Sequence, residues 1–192
     1  MIVVGIHQTV SADGDLVCQI ADGRLDSLGV LFDRYHADVR RLLARLQVPP
    51  GDLDDLVQTT FLEIPRAAAR FDASRPVRAW LLGLAAVVAK RHRRSIGRVA
   101  RKLAAFAVEP WHTHQQTPAD MVIHDEATKR AARALERLSP KKRDAFVLVV
   151  LEHLSGEAAA EALGIPVATI WTRLHHARRD LRALLAQEGE RS

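Results

Sequence analysis

Apolar residues recur at three- and four-residue steps along most of this chain. From Asp15 the spacing is helical, and Leu28, Leu31, Phe32, Tyr35, Val39, Leu42, Leu43 and Leu46 form one face of a long predicted helix. Val48-Pro49-Pro50-Gly51 is expected to stop it. A second helix follows, with Asp52 as its predicted N-cap and Asp54 and Asp55 in its first turn, where carboxylates suit the helix dipole. Its apolar stripe is Leu53, Leu56, Val57, Phe61 and Ile64, and Pro65 is predicted to perturb it. Arg70 to Pro76 has turn chemistry and reads as an exposed loop. A third helix starts near Pro76, carries Trp80, Leu81, Leu84, Val87 and Val88, and runs into a basic tract.

Between Ala104 and Pro118 the periodicity breaks down among prolines and a cluster of His, Thr and Gln, which reads as an interdomain linker. Periodicity resumes at Met121 and continues to Leu138. Ser139-Pro140 restarts a helix, with Ser as N-cap and Pro at the first helical position. That helix holds Phe146, Val147, Val150 and Leu151 and is expected to end near His153. No stretch alternates like a strand. The predicted fold is all-α: two small helical domains joined by a flexible linker, the C-terminal one a helix-turn-helix. The boundaries expected are 1–14 for a lead segment, 15–103, 104–120 for the linker, and 121–192.

The helix-turn-helix lies between Ser155 and Arg182. Ser155 can cap a short helix to Leu163, Gly164 supplies the permissive backbone of a tight turn, and Pro166 suits the first turn of the next helix. That second helix places Ile170, Leu174, Ala177, Leu181 and Leu184 on one face, to pack on the first. The other face carries Thr169, Trp171, Thr172, Arg173, His175, His176, Arg178 and Arg179. A helix fits the major groove, so Thr172, His175 and His176 are candidate base contacts, Trp171 can lie against thymine methyls or the backbone, and the arginines suit phosphates. A solvated basic face is the plainer alternative. The small-residue first helix, the turn glycine and a second helix with many arginines and few acids favour DNA.

Composition sharpens this in three ways. The 192 residues carry 28 Lys and Arg against 23 Asp and Glu, a net charge of +5, which suits an anionic partner. Seven of the cations fall between Lys90 and Lys102 with no acid among them. The one cysteine, Cys18, cannot form an internal disulfide, so a reducing compartment fits. No apolar run reaches the ~18 residues of a membrane span. Met1 to Ile6 is short and lacks a basic flank, so no signal peptide is read there. A cytoplasmic, soluble protein without membrane insertion is expected.

The motifs, taken in order, resemble a known family. Leu135-Glu136-Arg137-Leu138-Ser139-Pro140, Arg143, Gly164-Ile165-Pro166-Val167-Ala168-Thr169-Ile170 and Arg173-Leu174-His175-His176-Ala177-Arg178 resemble the last conserved domain of bacterial sigma factors of the extracytoplasmic-function (ECF) group. Asp54-Asp55-Leu56-Val57-Gln58-Thr59-Thr60-Phe61 is similar to that family's polymerase-docking helix. Phe71 and Arg78-Ala79-Trp80-Leu81, followed by a basic helix, are similar to its promoter-melting segment. The resemblance runs from about Asp15 to Leu185.

It implies a sigma factor: a recruitment adapter that binds core RNA polymerase and promoter DNA, together with an anti-sigma factor that holds it inactive. Asp54, Asp55, Gln58 and Thr59 would contact the polymerase. Arg70, Phe71, Ser74, Arg75, Arg78, Lys90, Arg91, Arg93 and Arg94 would open and grip the minus-ten element, with cations on the backbone of the exposed strand. Thr169, Trp171, Thr172, Arg173, His175, His176, Arg178 and Arg179 would read the minus-thirty-five element as duplex. The chain departs from the family where Leu84-Ala85-Ala86-Val87 replaces a more polar segment, and where Trp171 replaces a commonly basic residue. The first implies more packing by that helix, the second an unusual sequence preference. Trp80 lies in the apolar stripe and reads as core.

A conventional helix-turn-helix regulator remains the alternative, but it has no need of a docking helix or a melting segment. His112 and His114, with His124 nearby, lack a Cys partner and read as linker residues rather than metal ligands. No nucleophile-base-acid arrangement or phosphate-binding Gly loop appears, so neither catalysis nor a cofactor is expected.

Overall fold

The structure, a computed structural model, describes residues 12–104 and 126–189. The expected lead up to Ser11 and most of the expected linker, with His112, His114 and His124, lie outside the described residues. The described residues form helices and turns, with no strand among them.

The N-terminal group holds α1 (Ala12–Ala21), α2 (Asp26–Arg45), α3 (Pro50–Ala68) and α4 (Val77–Ala104). The single long first helix expected from periodicity is broken in two. Gly23 takes φ +88°, a left-handed conformation open to glycine at little cost, and the chain reverses there. Tyr35 ties the halves together by donating its hydroxyl to Asp13 Oδ2 at 2.5 Å. Helix α2 ends before the prolines. Gln47 at φ +58° lets its own N–H reach Ala44 O at 2.9 Å and the Val48 N–H reach Leu43 O at 3.1 Å. This left-handed cap satisfies two terminal carbonyls.

One further expectation is corrected here. Pro49 occupies the N-cap of α3 and Pro50 its first turn, so Asp52 is inside the helix. Its carboxylate instead lies 3.0 Å from His92 Nε2 on α4. Helix α3 carries Pro65 inside it and continues to Ala68. Phe61, Ile64 and Ala68 are buried on both sides of it. At about 1.5–3 kcal/mol for each large apolar side chain, that burial outweighs the ~3 kcal/mol an internal proline costs.

The C-terminal group holds α5 (Glu126–Glu136), α6 (Pro140–Phe146), a π-helical continuation (Val147–Leu151), α7 (Gly156–Leu163) and α8 (Val167–Gly189). Ser139 stands at the N-cap of α6 with Pro140 next, as expected. Arg143, buried to 5% exposure, donates to the carbonyls of Leu135, Glu136 and Leu138, closing the end of α5. The two groups do not keep separate cores. Leu81, Leu82, Ala85 and Ala89 of α4 belong to one buried cluster with Ala159, Ala160, Ala162 and Leu163 of α7 and with Leu148 and Ile170. A smaller cluster of Ala134, Leu138, Ala177 and Leu181 seats α5 against α8.

Candidate nucleic-acid and polymerase interfaces

Helix α3 buries Leu53, Leu56, Val57, Thr60, Phe61 and Ile64, a stripe at helical spacing that leaves the opposite side outward. Asp54, Asp55, Gln58 and Thr59 are all exposed on that side. Asp54 is 85% exposed, with Arg40 at 3.6 Å, a pairing that holds it weakly in water. Leu62, 63% exposed, continues the surface one turn past Gln58. The sequence reading missed it, although an apolar residue four positions beyond Gln58 and off the buried stripe was the available signal.

The loop from Arg70 to Pro76 is shaped by Asp72, whose Oδ1 accepts from the Ser74 amide at 3.0 Å and the Ser74 hydroxyl at 2.7 Å. Those bonds hold the Asp72 carboxyl below its usual pKa. Arg70 and Ser74 are exposed. Phe71 is not presented as a base reader: it is half-buried, 5.0 Å from Trp80 ring to ring in an edge-on contact. Trp80 is packed, as its place in the stripe implied. Ala86 is buried as well, in line with the packing its departure from the family pattern implied.

The cations of α4 and the preceding loop divide into two sets. Arg91 and Arg94 are exposed, Arg91 with Glu63 at 3.8 Å. Arg75, Arg78, Lys90 and Arg93 face the C-terminal group. Arg75 pairs with Glu161 at 3.0 Å. Arg78 donates to Asp38 at 2.7 Å and to Glu152 at 2.9 Å. Arg93 holds both carboxylate oxygens of Asp144, at 3.1 and 2.5 Å. Lys90 donates to the Leu163 carbonyl, and burial together with Arg94 and Arg173 pushes its ammonium below its usual pKa. Burial pushes the Asp144 carboxyl up, against the pull of Arg93, Arg143 and Arg173. Arg45 completes the cluster at 2.5 Å from Glu152. Periodicity could not single out Arg45, Asp144 or Glu152, because their partners are 51 to 107 positions away.

The helix-turn-helix is built as the local chemistry dictates. Ser155 accepts from the Ala158 N–H at 3.1 Å and caps α7. Gly164 takes φ +59°, and its own amide and that of Ile165 close on the Glu161 and Ala160 carbonyls. Helix α8 buries Ile170, Leu174, Ala177 and Leu181, seated on α5 and α6 as well as on α7. Thr172, His175, Arg178 and Arg179 are exposed, while Thr169, Arg173 and His176 are half-buried. Two expectations change in detail. Thr172 donates its hydroxyl to Ala168 O at 3.0 Å within its own helix, so only its lone pairs face outward. Trp171, 49% exposed, does not stand clear of the protein: its indole lies against Gly156 at the start of α7. With Leu174, His175, Arg178, Arg179 and Arg182 it walls an open basic cleft of about 310 Å³.

Comparison with known proteins matches this geometry to a family. Residues 31–99 match Sigma-70 region 2, and residues 128–181 match Sigma-70, region 4. The chain is 30% identical over 187 residues to the ECF RNA polymerase sigma factor SigK of Mycolicibacterium vanbaalenii, covering 92% of this chain and 91% of that one. It is 29% identical over 191 residues to the RNA polymerase sigma factor CnrH of Cupriavidus metallidurans, covering 94% and 97%. A solved structure of CnrH in complex with the cytosolic domain of CnrY superimposes with a TM-score of 0.62 at 27% identity, covering 91% of this chain and 97% of that chain. With Sigma-70 region 2 followed by region 4 and a 30% identical relative over most of its length, the chain belongs to the ECF group of RNA polymerase sigma factors.

Proposed function

We propose a division of labour between the two halves of this sigma factor. The chain binds core RNA polymerase and directs promoter-specific initiation of transcription. Residues 15–103 form the docking and minus-ten unit and residues 121–192 the minus-thirty-five unit, joined through 104–120. Asp54, Asp55, Gln58 and Thr59 meet the polymerase, with Leu62 extending the contact. Acids and an amide around an exposed leucine suit a partner that presents arginines about an apolar patch. Arg70, Ser74, Arg75, Arg78, Lys90, Arg91, Arg93 and Arg94 grip the minus-ten strand. Phe71 serves it indirectly, by bracing the loop against Trp80. His175, Arg178 and Arg179 face the minus-thirty-five duplex, with Thr169, Thr172, Arg173 and His176 behind them.

The side-by-side exposure of the four docking residues on α3 carries this reading. Asp55→Ala with Gln58→Ala removes an acid and an amide that make no buried contact, so folding should be kept. Binding to core polymerase should weaken by about tenfold or more, as expected when about 1.4 kcal/mol of interface is lost. Unchanged affinity would remove α3 as the docking site. In reconstituted transcription, core polymerase with this chain should start at specific promoters. Operator binding without initiation would favour an ordinary regulator instead.

The chain supplies promoter selection and no catalytic step of its own. An anti-sigma partner is part of the proposal, supported by the CnrH complex with the cytosolic domain of CnrY. No described helix is long and apolar enough to cross a membrane, and we place the work in the cytoplasm, where the polymerase is.

A further inference from the structure

Helix α8 is poorly supplied with hydrogen-bond donors where it would meet bases. In a helix-turn-helix the N-terminal residues of the second helix reach base edges. Arg178, Arg179 and Arg182 stand about 10–17 Å farther along than Trp171, at the level of the phosphates. Among the residues nearer the start, Thr172 commits its proton to Ala168 O. Arg173 is half-buried and turned inward, close enough to Lys90 and Asp144 for its charge to act on both. His176 has a buried Nδ1 with no partner, so that nitrogen offers nothing to a base. Trp171 and His175 remain as the large exposed side chains there. Trp171, 49% exposed, forms with Leu174 the apolar end of the cleft whose other end is Arg178, Arg179 and Arg182.

The indole is not a loose surface side chain. Its Cε2, Cζ2 and Cη2 edge rests on Gly156, where a Cβ would come within 2.6–3.4 Å of those three atoms. The absent Cβ is what makes room for the ring. Its orientation is therefore set before DNA arrives, and little side-chain freedom is left to lose on binding. Packing alone would account for the seated edge, but not for the half of the ring left open at base depth. A fixed apolar surface there can recognise one feature of the major groove: thymine alone among the four bases shows a methyl group in it. We propose that Trp171 is a specificity-determining residue that recognises the C5-methyl group of a thymine in the minus-thirty-five element, with Gly156 as the positioning residue that aims it. His175 stands beside it as a hydrogen-bonding neighbour, and the arginines beyond hold the backbone. The inference rests on α8 as the duplex reader and deepens it by naming the base feature that is read.

Deoxyuridine tests this directly, because it pairs as thymidine does and lacks only that methyl. Core polymerase loaded with the full chain first selects duplexes from a pool randomised over the upstream element. Each thymine enriched there is then replaced singly by deoxyuridine, and both duplexes are titrated against one preparation, so that the ratio of affinities does not depend on the folded fraction. At one thymine the native chain should bind the deoxyuridine duplex about fourfold more weakly, the worth of one buried methyl. Trp171→Ala should abolish that difference. Gly156→Ala, which displaces the ring by about 1 Å, should cut it to less than about twofold. His175→Ala should weaken both duplexes alike and keep the ratio. A neutral replacement at every selected thymine in the native chain overturns the methyl contact, and so does a difference that survives Trp171→Ala. An unchanged ratio in Gly156→Ala removes Gly156 as the positioning residue. Selection that enriches no upstream sequence would overturn the duplex reading of α8 itself, whereas a selected element indifferent to deoxyuridine sinks only the proposal made here.

Discussion

Gly156 sits where two forces of opposite sign meet, and replacing it with alanine measures the difference. It is the first residue of α7, and its φ lies outside the left-handed region. On backbone grounds alone, alanine there should stabilise, by about 0.5 kcal/mol at a helix end. Against this stands Trp171. The new Cβ would lie 2.6 Å from Cζ2 and 3.1 Å from Cε2 of the indole, well inside the ~3.5–4.0 Å of an ordinary carbon contact. The ring must therefore move by about 1 Å. Overpacking typically costs about 1–3 kcal/mol, and a half-exposed indole has room to give, so about 1.5 kcal/mol is expected. The net effect of Gly156→Ala should be a loss of about 1 kcal/mol, or a Tm lower by roughly 2–4 °C for a chain of this size. In a Trp171→Ala background the same substitution should change sign and stabilise by about 0.5 kcal/mol. Urea unfolding of the four proteins gives the coupling between the two positions, expected near 1.5 kcal/mol. A Gly156→Ala effect that is the same with and without the tryptophan would refute the contact. Trp171 would then be free to face DNA, as the sequence alone suggested.

Arg143→Met should cost about 3 kcal/mol in urea unfolding, because one of the three carbonyls it serves is buried and the other two are only partly wet. A loss under about 1 kcal/mol would mean that water replaces the guanidinium. Tyr35, the only tyrosine, is pushed up to about 12 by burial, by its hydrogen bond to Asp13 and by that carboxylate's charge. Its folded pKa exceeds the ordinary value near 10, so its contribution to stability is complete below pH about 10 and is lost as pH rises through about 12. Absorbance near 295 nm should show a single late transition, moved downward by Asp13→Asn. A midpoint near 10 in the native protein would show that α1 is not docked on α2 in this way.

Much of this protein was legible in its residues, for reasons that are local. Ser155, Gly164 and Ser139-Pro140 marked helix ends because capping and left-handed turns act within four residues. The stripes of α3 and α8 marked their buried faces, and so the outward placement of Asp54, Asp55, Gln58, Thr59 and His175. The same local reasoning overshot at Asp52. There the contest was between a short-range preference and packing supplied by α4 and the core. It also could not split α1 from α2, since amphipathic spacing continues across a turn that Gly23 makes possible.

What the tertiary structure alone decided concerns pairs far apart in the chain. That Phe71 braces Trp80, that Trp171 lies on Gly156, and that Arg45, Arg78 and Arg93 close on Glu152 and Asp144 are facts about meeting, not about residue type. An arginine reads the same in sequence whether it awaits a phosphate or holds a buried carboxylate 74 residues away. Charge and periodicity are properties of the chain. Which charge is desolvated, and by whom, is settled only when the helices pack.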